Sequence, residues 1–262
     1  MSKLAENLKR LKNRNEKAFV PYIMAGDGGL ECLAERLVLL ERLGASAIEV
    51  GIPFSDPVAD GPVIQEAGLR ALASGTTLKG TIEQIAGVRA SISIPIIVMT
   101  YLNPILAYGI ADFCRDSKEA GIAGLIIPDL PIEEEDLLAP FISQAGVELI
   151  RLVTLTTPIE RIKAISEKGN GFLYAVTVKG VTGGRTNFQK GLGAFLAEVK
   201  RASRIPVFAG FGVSSGEQAR ELAAHCDGVI AGSKVVQLLH EGKMDELEEL
   251  VSCFKKEGLR AQ

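Results

Sequence analysis

A glutamate ends a short apolar run, Ala47-Ile48-Glu49-Val50-Gly51, in which Ile48 and Val50 fall on one side of an extended chain and Ala47, Glu49 and Gly51 on the other. If the run is a barrel strand, the carboxylate enters the lumen. Apolar walls there raise its pKa, so that it holds and releases a proton near neutrality. The plainer reading is a carboxylate satisfied by loop amides at the barrel rim, but placement at the C-terminal end of a strand favours chemistry. The loop that follows, Gly51-Ile52-Pro53-Phe54-Ser55-Asp56-Pro57-Val58-Ala59-Asp60-Gly61-Pro62, is stiffened by prolines. Pro62 suits the first position of a helix, so Asp60 either caps that helix or supplies a second carboxylate. Two carboxyl groups in unlike environments are a common acid/base arrangement.

Three glycine-rich turns follow later apolar runs: Lys179-Gly180-Val181-Thr182-Gly183-Gly184-Arg185-Thr186, Gly210-Phe211-Gly212-Val213-Ser214-Ser215 and Ala231-Gly232-Ser233-Lys234. Glycines let backbone N–H groups approach phosphate oxygens, and barrels bind phosphate at the turns after their last strands, so a phosphorylated ligand is expected. Lys179 raises the rival of a Schiff-base lysine. Phe172, Tyr174 and Val176 share one face of the sixth run, whereas Lys179 falls beyond it in a loop, where a lysine is ordinarily solvated. His225-Cys226-Asp227 precedes the last run, on the side of a barrel that serves stability.

Composition narrows the chemistry further. Only two histidines occur, His225 and His240, so His-based triads and multi-histidine metal sites have almost no material, and carboxylates or lysines must move protons. Lys and Arg total 29 against 32 Asp and Glu, a net charge of −3 with no basic stripe, which argues against nucleic acid. Cys32, Cys114, Cys226 and Cys253 are widely spaced, as expected of thiols in a reducing, cytoplasmic setting. Residues 1–14 are charged and amphipathic, unlike a signal sequence, and no apolar stretch is long enough for a bilayer, so no membrane association is expected.

The elements that must position these residues alternate. Apolar runs at 19–24, 47–50, 96–100, 124–127, 148–153, 171–176, 207–209 and 228–231 recur in units of about 30 residues, the size of a strand and its crossover helix. Helical patterns lie at 30–43, 112–120, 133–144, 158–168, 192–203, 215–224 and 245–256, with an additional helix at 1–11 whose apolar side suits the barrel floor. Eight such units predict one (β/α)8 TIM barrel spanning 1–262, with an extra N-terminal helix. The intervals after the second and sixth runs are oversized, the first with room for two helices, and both enlarged loops belong to the C-terminal mouth.

These residues resemble the tryptophan synthase alpha chain family. The resemblance is carried by Pro21-Tyr22-Ile23-Met24-Ala25-Gly26-Asp27, the long Glu49 to Pro62 string, Gly180-Val181-Thr182-Gly183 and Gly210-Phe211-Gly212-Val213-Ser214. It implies cleavage of indole-3-glycerol phosphate to indole and glyceraldehyde 3-phosphate without metal or organic cofactor. Glu49 is then the proton donor at indole C3, and Asp60 the partner of the indole N–H. It also implies substrate contacts by Tyr22, Met99, Tyr101, Ile126, Leu152, Tyr174, Thr182 and Phe211, and phosphate contacts by Gly183, Gly212, Gly232 and Ser233. The implied partner is a pyridoxal-phosphate-dependent beta chain in an alpha2-beta2 tetramer, met through Pro53 and Asp56, with indole passed between the chains. Two residues depart from the family pattern: Tyr22 stands where phenylalanine is frequent, adding a hydroxyl near the ring, and Gly28 where proline often follows Gly-Asp.

Three functions remain to be separated: the lyase subunit of a two-enzyme complex, a stand-alone lyase or other phosphate-binding barrel enzyme, and a catalytically weak scaffold. A scaffold has no need of carboxylates at Glu49 and Asp60.

Overall fold

The protein is described from a computed structural model that covers residues 2–177, 185–210 and 212–255, with the side chains of 185–190 excepted. Eight parallel strands close a barrel in chain order: β1 (Ala18–Met24), β2 (Ile48–Gly51), β3 (Ile96–Met99), β4 (Gly124–Ile126), β5 (Glu148–Thr154), β6 (Leu173–Val176), β7 (Val207–Gly210) and β8 (Gly228–Ala231). Closure comes from β1, which pairs with β2 on one side and β8 on the other.

Strict alternation along each strand divides the buried apolar residues into two layers. Outward residues such as Phe19, Ile23, Ile48, Val50 and Val98 meet the surrounding helices, including Leu33, Leu37 and Leu40 of α2 (Cys32–Leu43). Inward residues fill the lumen, among them Val20, Ala47, Ile97, Ile126, Ile150 and Phe208. Phe172 and Phe208 stack at 4.2 Å between ring centres. Helix α1 (Lys3–Asn13) starts at Ser2, whose hydroxyl accepts the Ala5 amide, and its Leu4 and Leu8, one turn apart, join the lumen cluster. The lumen is therefore packed at its lower end.

Between β2 and β3 lie two helices, α3 (Pro62–Ala73) and α4 (Leu78–Val88), as the length of that interval predicts. The pattern at 133–144 does not form one helix. A short 3-10 turn at Glu135–Leu137 is followed by a separate helix, Ala139–Ala145, because Pro140 has no N–H to continue the ladder and is tolerated only in a first turn. Two helices lie outside the sequence pattern, Leu102–Tyr108 and Ser233–Glu241. The first is short and carries Pro104 in its opening turn, and the second begins inside what reads as a glycine-rich turn. Among the described residues no helix is long and apolar enough to cross a membrane.

Candidate active site

Backbone register places Tyr22, Glu49 and Ile97 side by side on β1, β2 and β3, all directed inward. Glu49 is 1 % exposed, and its Oε2 has no hydrogen-bond partner among the described residues. It is thus not a rim carboxylate satisfied by loop amides. Burial, with a smaller contribution from the negative charge of Asp60, pushes its carboxyl up to about 8. At neutral pH Glu49 is a protonated acid in an apolar lumen.

Asp60 reaches the same mouth from the loop after β2. The helix it precedes starts at Pro62 with Gly61 as its N-cap and no side-chain capping bond, so Asp60 does not cap it. Partial burial raises its carboxyl to about 6, and a hydrogen bond from Tyr101 opposes the rise. Asp60 is therefore mostly ionised at pH 7 while Glu49 is mostly protonated. The Tyr101 hydroxyl also accepts the Ala59 amide at 3.0 Å, which fastens the aspartate's loop to the residue preceding helix α5 (Leu102–Tyr108). Its ring lies 5.3 Å from that of Phe54 in the same loop. The Gln65 side-chain amide donates to the Asp60 carbonyl at 2.8 Å, so the first turn of α3 holds the backbone from the other side.

Glycines admit the aromatic walls. A β-carbon on Gly51 would overlap the Tyr22 hydroxyl, and one on Gly210 would overlap the ring and hydroxyl of Tyr174. Both glycines end strands, and an inward glycine at a strand end is the sequence signal for close approach of another group. Tyr22, Tyr101, Ile126 and Tyr174 are buried, while Met99 and Leu152 are half-buried at the lumen edge. Ile126, Met99, Leu152 and Tyr174 belong to one lumen cluster, and Met99 also packs against the cluster that holds Tyr22.

After β8, beside Tyr22 of the adjoining β1, Gly232 is the N-cap of helix α11 (Ser233–Glu241) and Ser233 its first residue, with no side-chain cap among the described residues. The neighbouring helix α10 (Gly216–Ala223) differs: Ser215 accepts the Gln218 amide, and Gln218 accepts the Ser214 amide. Helix α11 thus has no side-chain cap on its first-turn N–H groups among the described residues, which leaves them open to an anion. Gly212 adopts φ +85°, a left-handed backbone that suits glycine in the turn between β7 and α10. Thr182, Gly183, Phe211 and Lys179 lie outside the described residues.

Asp56 is exposed at the rim, where its carboxylate accepts from the Ser55 hydroxyl at 2.6 Å, whereas Pro53 is buried inside its own loop. The sequence reading gave no role to Asp27 or Arg70. Asp27 is 3 % exposed and takes two hydrogen bonds from Arg70, which ties the turn after β1 to α3. The Gly-Asp pair marks the turn, but nothing in the sequence identifies a partner on another element. A cavity of about 400 Å3 beside β4 and β5 has Leu152 in its lining, with Arg151 there paired to Glu135 at 2.7 Å. Arg161, also in that lining, pairs with Glu133, so neither guanidinium is free for a ligand.

Known proteins resemble this chain in sequence and in fold. The family model described as tryptophan synthase alpha chain matches residues 8–260. The chain is 51 % identical to the tryptophan synthase alpha chain of Bacillus anthracis over 251 residues, covering 96 % of this chain and 97 % of that one. Its fold matches the crystal structure of tryptophan synthase subunit alpha from Legionella pneumophila with a TM-score of 0.88 and 34 % identity, covering 97 % of each chain. A ligand-free tryptophan synthase structure from M. tuberculosis matches with a TM-score of 0.87 and 33 % identity, over 97 % of this chain and 98 % of that one. With its family matched along nearly the whole barrel and half its residues shared with a relative of the same length, this chain belongs to the tryptophan synthase alpha chain family.

Proposed function

We propose that the chain cleaves indole-3-glycerol phosphate to indole and glyceraldehyde 3-phosphate as a carbon-carbon lyase, the alpha subunit of a tryptophan synthase. The observation that carries this is the burial of Glu49 in the lumen with Asp60 facing it from the loop after β2, which raises their carboxyl groups to about 8 and about 6. An indole carbanion is a poor leaving group, so the ring must first become an electron sink. Protonated Glu49 gives its proton to C3 of the ring, forming an indolenine cation whose N–H is stabilised by ionised Asp60. The Glu49 carboxylate then takes the proton of the glycerol hydroxyl as the carbon-carbon bond breaks. The bonding pair returns to the ring, releasing indole and the aldehyde, and Glu49 ends protonated as it began.

In this reading Tyr22, Met99, Tyr101, Ile126, Leu152 and Tyr174 hold the ring, with Thr182 and Phe211. The phosphate lies on the amides at Gly212, Gly232 and Ser233, with Gly183. The whole of 1–262 acts as one TIM-barrel domain. Its N-terminal helix closes the floor, and the chain is enlarged after its second and sixth strands. Closure of such segments excludes water and fixes the carboxyl groups. The partner is a tryptophan synthase beta chain in an alpha2-beta2 assembly, meeting Asp56 and the Pro53 loop. Val58 beside them is 84 % exposed, a large apolar residue on this rim. Pyridoxal phosphate belongs to that partner chain. A cytoplasmic setting fits the four cysteines, all free thiols.

A stand-alone lyase is the second reading, favoured by the fact that both carboxyl groups and the phosphate turn reside on one chain. Indole release from indole-3-glycerol phosphate, measured with and without a beta chain, separates the two. Strong stimulation by the beta chain supports the subunit reading, full activity alone supports the stand-alone lyase, and no indole in either condition defeats both.

A further inference from the structure

Within the lyase reading, Glu49 must exist for part of each cycle as a carboxylate in an apolar lumen. An ionised carboxylate there is costly without a donor. Asp60 has one in the Tyr101 hydroxyl, but Oε2 of Glu49 has none among the described residues. The groups that face this pair are Asp60 from the loop after β2, Tyr22 from β1, Tyr174 from β6 and, against Asp60, Tyr101. Tyr22 is the nearest in the sheet: it is the register partner of Glu49 on the adjacent strand, and its hydroxyl occupies the space left by the missing β-carbon of Gly51, two residues along from Glu49. The Tyr22 ring is 5 % exposed, and no hydrogen bond from its hydroxyl to another described residue competes for the proton.

We propose that Tyr22 is a positioning residue of the cleavage reaction, whose hydroxyl donates to the Glu49 carboxylate formed when the ring takes its proton. The bond holds that carboxylate until the proton returns from the glycerol hydroxyl. No atom of Tyr22 is consumed: its O–H stays intact, and the transferred proton passes only between Glu49, ring carbon and glycerol oxygen. Burial and the two carboxylates hold the phenol well above its ordinary value, so it remains a donor throughout the working range. Tyr174 is the competing donor: it faces Glu49 from β6 on the far wall of the barrel, with its hydroxyl against Gly210.

Tyr22→Phe removes only the hydroxyl and leaves the ring to fill its place. The first measurement needs no turnover: infrared titration of the Glu49 carboxyl in the substrate-free protein, its band identified by absence in Glu49→Gln. The parent midpoint is expected to lie about one unit below that of Tyr22→Phe, the size of one hydrogen bond to a charged group. The second is steady-state kinetics, where kcat is expected to fall about tenfold and KM to stay within about twofold. An unmoved midpoint in Tyr22→Phe overturns the proposal, and a rise in Tyr174→Phe instead would assign the donor to Tyr174. A loss confined to KM would also overturn it, as simple ring binding. Failure of the lyase reading is a separate result, a parent protein that releases no indole.

Discussion

Asp27 and Arg70 meet as a two-pronged ion pair, Nε to Oδ1 at 2.7 Å and Nη2 to Oδ2 at 2.9 Å, joining the turn after β1 to the helix that begins just after Asp60. Arg36 adds a hydrogen bond to the Asp27 carbonyl, and Ser74 another to that of Gly26 at 3.3 Å. The strand bearing Tyr22 and the helix behind Asp60 are thereby locked together. Arg70→Gln leaves a buried carboxylate half-paired, and a loss of about 2 kcal/mol in urea unfolding is expected, the discount for a one-third exposed guanidinium included. Activity should fall in parallel as α3 loosens. Unchanged stability and activity would show that the pair positions nothing.

Glu49 makes the folded protein sensitive to alkali. Its carboxyl binds a proton up to about 8 when folded but releases it near 4.5 when unfolded, so between those values the folded state holds the extra proton and stability falls as pH rises. Glu49→Gln removes that dependence. Relative to the variant, the parent is expected to lose about 1.4 kcal/mol per pH unit between pH 5 and 8. Parallel stability curves for the two proteins would mean that Glu49 is solvated. The same variant should retain phosphate-ester binding while turnover falls by at least about a hundredfold.

The two raised carboxyl groups set a bell-shaped pH dependence for kcat/KM. Activity rises as Asp60 loses its proton near 6 and falls as Glu49 loses its own near 8. The two groups interact, so the limbs belong to the pair. Asp60→Asn should abolish the acid limb, and a variant that keeps both limbs would remove Asp60 from the reaction.

Gly51→Ala tests the close approach at the end of β2. The added methyl overlaps the Tyr22 hydroxyl and ring, so the side chain must move away from Glu49. Overpacking of this kind costs about 1–3 kcal/mol. Thermal unfolding should show that loss, together with a fall in kcat; a variant with parental melting and kcat would contradict the placement of Tyr22.

Much of the architecture is local and therefore readable. Alternation in Ala47-Ile48-Glu49-Val50-Gly51 directs Glu49 inward because a strand has a period of two whatever surrounds it, and Pro62 opens α3 because its ring fixes φ and it needs no donor. The pattern at 133–144 misled because apolar spacing alone does not register the break that Pro140 imposes. The helix Leu102–Tyr108 escaped because Asn103-Pro104 also suits a turn.

The eight alternating units, the inward face of each strand and the residue types at the mouth are legible in the chain alone, since they follow from backbone geometry within a few residues. Barrel closure is what frees Asp60 from its helix and binds it to Tyr101, brings Asp27 to Arg70, and leaves Glu49 Oε2 without a donor among the described residues. Those facts depend on groups brought together by barrel closure. The difference between a carboxyl near 6 and one near 8 is set by that non-local exclusion of water and by the donors it brings, not by the residue types alone.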